Sequence, residues 1–92
     1  PSKYGAEVTV KNSLISDGCE IEGTVENSIL FRGVAVAKGA TVRNSIIMQD
    51  TIIGSNVFLD CVITDKNVVI GDRRKLSGCE VLPYFIQKGT ML

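Results

Sequence analysis

The sequence predicts an all-β solenoid, a parallel β-helix of about five coils, and three observations carry that prediction. The composition favours strands, because Val, Ile and Thr supply 27 of the 92 residues while Leu and Ala are scarce. A four-residue pattern recurs as Asn12-Ser13-Leu14-Ile15, Asn27-Ser28-Ile29-Leu30, Asn44-Ser45-Ile46-Ile47 and Asp60-Cys61-Val62-Ile63, starting 15, 17 and 16 residues apart. Aliphatic anchors then step by four to six residues through Ile15, Ile21, Val25, Leu30, Val36, Val42, Ile47, Ile53, Phe58, Ile63 and Val69. The underlying unit is a hexapeptide. A short strand plus a corner returns one face inward every six residues, and three such sides close a coil.

Each coil follows in chain order. Val10 and the motif at 12–15 end the first, and Asp17-Gly18 turns the corner. The second runs through Ile21, Gly23, Val25 and the motif at 27–30 to Arg32-Gly33. Val36, Lys38-Gly39, Val42 and the motif at 44–47 make the third, closed by Gln49-Asp50. The fourth comprises Ile53, Gly54-Ser55-Asn56, Phe58 and the motif at 60–63, closed by Asp65-Lys66-Asn67. Gly, Asn and Asp suit these corners because they tolerate left-handed backbone conformations. Val69 and Gly71-Asp72 open the fifth coil, after which the register is expected to loosen across 72–77. Gly78-Cys79-Glu80-Val81 then repeats Gly18-Cys19-Glu20-Ile21, and residues 84–92, with Lys88-Gly89 at a corner, form a last partial coil. A β-sandwich also has short strands and frequent turns, but its strands do not keep a six-residue step.

Composition excludes several function classes. Ten Lys and Arg balance ten Asp and Glu, and no like-charge run exceeds Arg73-Arg74-Lys75, so no nucleic-acid partner is expected. Histidine is absent, which removes His-based acid–base and nucleophile systems and imidazole zinc sites. No apolar stretch reaches the length of a membrane-spanning helix, so no membrane partner is expected. Cys19, Cys61 and Cys79 are odd in number and widely spaced, which suits a reducing, cytoplasmic setting. The start, Pro1-Ser2-Lys3-Tyr4-Gly5, reads as that of a piece of a longer protein.

The run Gly23-Thr24-Val25-Glu26-Asn27-Ser28-Ile29-Leu30-Phe31-Arg32-Gly33-Val34, followed by Asn44-Ser45-Ile46-Ile47-Met48-Gln49, resembles the carboxy-terminal domain of bacterial glucose-1-phosphate adenylyltransferase, or ADP-glucose pyrophosphorylase. Glu22 through Ser28 together with Phe31-Arg32-Gly33 is most similar to the accessory, GlgD-type subunits of glycogen biosynthesis. The resemblance implies left-handed coiling, against the usual right-handed rule for parallel crossovers. It also implies a separate amino-terminal catalytic domain, which binds ATP and Mg2+ and converts glucose 1-phosphate to ADP-glucose with release of pyrophosphate. Residues 1–92 show neither the glycine-rich phosphate loop nor the metal-binding Asp motifs of that domain. No catalytic, cofactor or metal site is therefore expected here. The implied partners are that domain and other subunits of a homo- or hetero-oligomer.

Candidate contacts for an anionic effector or a neighbouring domain are Lys66, Arg73, Arg74 and Lys75. Lys66 sits in an Asp-Lys-Asn corner similar to the one where plant members of the family place an activator-binding lysine. Arg73, Arg74 and Lys75 lie where the repeat is expected to break. A solvated corner and a solvated charged loop explain the same residues. Asn12, Asn27 and Asn44, with Asp60 in fourth place, suit a structural side-chain ladder. Cys19 and Cys79 are expected at equivalent packing positions, Cys61 in place of the motif Ser, and Phe31, Phe58, Tyr84 and Phe85 in core or capping roles. A hexapeptide acyltransferase is the rival reading, as is the β-helix tail of another sugar-nucleotide transferase; the first relies on a histidine this chain lacks.

Overall fold

The computed structural model describes residues 1–92 and contains strands but no helix. The first coil holds β1 (Lys3–Tyr4), β2 (Thr9–Lys11) and β3 (Leu14–Ile15). The second holds β4 (Glu20–Ile21), β5 (Thr24–Glu26) and β6 (Ile29–Leu30), and the third β7 (Ala35–Val36), β8 (Thr41–Arg43) and β9 (Ile46–Ile47). The fourth holds β10 (Ile52–Ile53), β11 (Phe58–Asp60) and β12 (Val62–Thr64). The fifth holds β13 (Val69–Ile70), β14 (Lys75–Ser77) and β15 (Tyr84–Ile86). Like strands of successive coils stack in register into three five-stranded parallel sheets: side A begins with β1, side B with β2 and side C with β3. The prism measures 32 × 23 × 23 Å.

The repeat length is 17, as in Tyr4↔Ile21, Val25↔Val42, Val42↔Leu59 and Leu59↔Leu76. Two places depart from it. The corner between Ile21 and Val25 is two residues short, so Val10 pairs with Val25 at a spacing of 15. Between β14 and β15 the chain is five residues longer than at the regular corner, so Thr64 pairs with Ile86 at a spacing of 22. Each side sends two residues inward, an aliphatic and, two positions earlier, a small residue, as in Ala40/Val42 and Ser45/Ile47. Sixteen buried hydrophobic residues form one continuous cluster along the axis. Ile15, in the first coil, is half-buried and packs against it.

Three expectations need correction. In the fourth and fifth coils Leu59 and Ile70 point inward, while Phe58, Ile63 and Val69 are only half-buried. The 16-residue match misread the corner. Cys61, not Asp60, takes the left-handed position (φ 56°) held by Asn12, Asn27 and Asn44 (φ 48°, 48° and 49°). Val62 then fills the serine column and Thr64 the aliphatic one, so large and small residues exchange places within the same core layer.

Second, the chain does not loosen across 72–77. Arg73 makes a regular corner at φ 60°, and β14 keeps full register with β11. The break lies at 79–83, whose excursion ends where Tyr84 resumes stacking on Val62. Third, Cys79 and Val81 are exposed, Val81 at 93%, whereas Cys19 and Ile21 are buried. The Gly-Cys-Glu likeness falls on a loop that leaves the solenoid, so the two cysteines are not equivalent.

Candidate functional site

The corners set what each side displays. At the B-to-C corner Asn12 Nδ2 donates to Asn27 Oδ1 at 2.7 Å, and Asn44 Nδ2 donates to Asp60 Oδ1 at 3.0 Å. The asparagine ladder is thus structural, and Asp60 continues its hydrogen bonding although Cys61 holds the backbone position. A second ladder runs beside it, which the spacing did not reveal. Ser28 Oγ donates to the Glu26 carbonyl (2.7 Å) and accepts the Ser45 N–H (3.1 Å). Ser45 Oγ donates to the Arg43 carbonyl (2.6 Å) and accepts the Val62 N–H (3.1 Å). Each hydroxyl closes its own corner and satisfies a buried amide of the next coil. The repeated Asn-Ser pair was the available signal.

The four charged candidates fall on two edges of the prism. Exposed Lys66 stands at the C-to-A corner of the fourth coil, where its N–H bonds Asp65 Oδ1 at 2.7 Å and its carbonyl accepts the Gly89 N–H at 3.1 Å. Arg73 stands at the A-to-B corner of the fifth coil and donates its N–H to the Ser55 carbonyl at 2.9 Å. The Arg74 carbonyl accepts the Phe58 N–H at 2.8 Å. Lys75 lies in β14, with Nζ 5.6 Å from the Phe58 ring centroid, a cation–π contact between stacked residues. Arg73 and Lys75 share one edge of the prism; Lys66 belongs to another.

Two adjoining indentations of about 190 and 180 Å³ lie beside the shortened corner, lined by Glu7, Glu22 and Lys38 among others. Gly23 makes that shortcut feasible, since an added Cβ would run into the Ala40 carbonyl oxygen. A shallow hollow of about 140 Å³ lies at the carboxy-terminal end, between Tyr84, Phe85 and Leu92. No three His, Cys, Asp or Glu side chains converge in a cluster that could hold a metal ion.

The three outer faces differ. Side B carries an alternating ladder, Lys11, Glu26, Arg43 and Asp60, with Arg43 Nε 3.6 Å from Glu26 Oε1. Side A is mixed: Lys3, Glu20, Ala35, Ile52 and Val69. Side C stacks Leu14, Ile29, Ile46, Ile63 and Phe85, all apolar. Phe58 and Phe85 thus face outward on strands, and neither sits in the core.

Of the thiols, Cys19 is buried and donates to the Phe31 carbonyl at 3.2 Å, and Cys79 is exposed. Cys61 is half-buried; desolvation, and then the Asp60 carboxylate to which it donates at 3.7 Å, push its pKa above the ordinary thiol value.

The family model "GlmU-like, C-terminal hexapeptide" matches residues 2–79. The chain belongs to that family. The solenoid of this hexapeptide domain is a left-handed parallel β-helix. The domain is 51% identical over 91 residues to "Glycogen biosynthesis protein GlgD" of Bacillus subtilis and 53% identical over 91 residues to the protein of that name from Geobacillus stearothermophilus. Each match covers 99% of this chain and 26% of the relative. It is also 38% identical over 84 residues to a glucose-1-phosphate adenylyltransferase of Acetivibrio thermocellus, covering 90% of this chain and 20% of the relative. The domain therefore spans about a quarter of the length of these relatives, and it is a hexapeptide domain of the kind found in glycogen-biosynthesis proteins.

Proposed function

We propose that this hexapeptide domain is the non-catalytic assembly and regulatory part of a cytoplasmic glucose-1-phosphate adenylyltransferase subunit, of the accessory GlgD type. The observation that carries the reading is the identity of just over one half to two GlgD proteins along almost the whole chain. The parent protein would join ATP and glucose 1-phosphate to give ADP-glucose and pyrophosphate, with Mg2+ and nucleotide held in its own amino-terminal domain. The domain contributes stiffness and surface. Three hydrogen-bonded sheets hold a fixed outer geometry against which a catalytic domain and neighbouring subunits can be positioned. Lys66, Arg73, Arg74 and Lys75 are proposed as separate positive contacts for an anionic effector or a neighbouring domain, since they lie on two edges of the prism.

The test follows pyrophosphate release from ATP and glucose 1-phosphate by the full-length protein, alone and mixed with its catalytic partner subunit. Activity that rises only in the mixture supports an accessory role. Equal activity of the protein alone would make this the tail of an ordinary catalytic subunit, and no activity in either case would overturn the proposed sugar and nucleotide.

A further inference from the structure

The excursion at 79–83 leaves the solenoid and returns to it over a cysteine. Ser77 is paired with Asp60, and the Gly78 N–H donates to the Asp60 carbonyl at 2.9 Å. After the excursion the Tyr84 N–H donates to the Cys61 carbonyl at 3.0 Å. Both feet of the excursion therefore stand on the B-to-C corner of the fourth coil, whose left-handed residue is Cys61. Gly78 lies level with Cys61 at the regular spacing of 17, and an added Cβ on it would meet the Cys61 carbonyl oxygen. Cys79 is the next residue. Neighbouring strands about 4.8 Å apart and consecutive Cα atoms about 3.8 Å apart put the Cα atoms of Cys61 and Cys79 roughly 6 Å from each other, inside the span of about 4.4–6.8 Å that a disulfide bridges.

The side chains suit that placement. Cys79 is exposed, and its backbone is held by reciprocal bonds with Leu82, at 3.2 and 3.0 Å, that close a four-residue turn. Cys61 is half-buried, with Sγ 3.7 Å from Oδ1 of the outward Asp60 carboxylate. After desolvation and Asp60, the charges that bear on the Cys61 thiol are Glu80 and Cys79, both from the excursion. Cys19 is buried two coils away and donates to the Phe31 carbonyl, so it does not compete. Neither Cys61 nor Cys79 belongs to the buried core, and joining them leaves the core packing intact.

We propose that Cys61 and Cys79 are an oxidisable dithiol pair whose disulfide clamps the 79–83 excursion onto the fourth coil. A peroxide is the oxidant that suits it. The exposed Cys79 sulfur attacks one peroxide oxygen, the O–O bond breaks, and a sulfenic acid and one water result. The Cys61 sulfur then attacks the Cys79 sulfur and loses its proton, the S–O bond breaks, and the second oxygen leaves as water. Two thiols and one hydrogen peroxide thus give one disulfide and two waters, and an excess of small-molecule thiol reverses the change. In the reduced chain Val81 and Leu82 project into solvent on two hydrogen-bonded feet; in the oxidised chain a covalent bond fixes one of them.

The test oxidises the 92-residue chain with hydrogen peroxide, blocks the remaining thiols by alkylation, and maps the peptides without reduction. Far-UV spectra check that each variant stays folded. Wild type and Cys19→Ser should yield the linked Cys61 and Cys79 peptides at a rate independent of chain concentration, and Cys61→Ser and Cys79→Ser should not. The bond should slow cleavage after Glu80 by a Glu-specific protease roughly tenfold or more, and dithiothreitol should restore it. Oxidation that stops on Cys79, or that joins two chains, with Cys61 still open to alkylation, would overturn the pairing. A bond that forms without slowing cleavage at Glu80 would overturn the clamp.

Discussion

Ser45 illustrates how a single hydroxyl holds two coils. It closes the Arg43 corner and accepts the Val62 amide, so replacing it with Ala leaves a buried N–H without a partner. Chemical denaturation should show Ser45→Ala less stable by about 1–3 kcal/mol, and Ser13→Ala, at the half-buried first level, less affected. The thiols should also separate. Alkylation at mildly alkaline pH should reach exposed Cys79 first and Cys61 later, because its raised pKa keeps less of it as thiolate, with Cys19 protected until unfolding. The raised folded pKa has a linked effect: stability from the neutral Cys61 thiol is present below the ordinary thiol pKa and is lost as pH rises through the folded value. A Cys61→Ser variant should accordingly show a flatter stability profile at alkaline pH, and an unchanged profile would exclude Cys61 as its source.

The coils supply the register tests. Ile70 is fully buried and Val69 half-buried, so Ile70→Asp should abolish cooperative melting, while Val69→Asp should cost about 1 kcal/mol. The reverse order would restore the register read from the 16-residue match. Deleting residues 79–83 brings Tyr84 to the regular spacing of 17 from its partner Val62, and thermal melting should stay within a few degrees of wild type. A collapse in melting temperature would show that the excursion supports the solenoid. These contrasts mark what the residues disclosed. The hexapeptide step, the Asn corners and the first three coils were legible, because aliphatic, small and turn-forming residues each keep to their own column there. The fourth coil was not. Asp60 can take the hydrogen bond of an Asn ladder from the adjacent position, and Val62 and Thr64 fill jointly the volume that Ser and an aliphatic fill elsewhere. Only the stacking partner decides between the two registers.

At the scale of the molecule, the prism has a charged face, a mixed face and an apolar face, with positive residues on two separate edges. The family resemblance gave the expectation of an assembly domain, but the apolar column of side C was not legible in the spacing. An outward residue next to an inward one, as in Ile46-Ile47 or Ile63-Thr64, looks like an interrupted core until strand register separates them. The separation of Lys66 from Arg73 was equally hidden, because sequence order does not say which corner a turn occupies. The central claim is that this domain acts by holding subunits together. It is tested most directly by measuring pyrophosphate release from the catalytic partner mixed with the full-length accessory protein, either intact or cut just before this domain. The account predicts that removing the domain abolishes both the stimulation and the complex seen by sedimentation. Stimulation by the truncated protein equal to that of the intact one would contradict it.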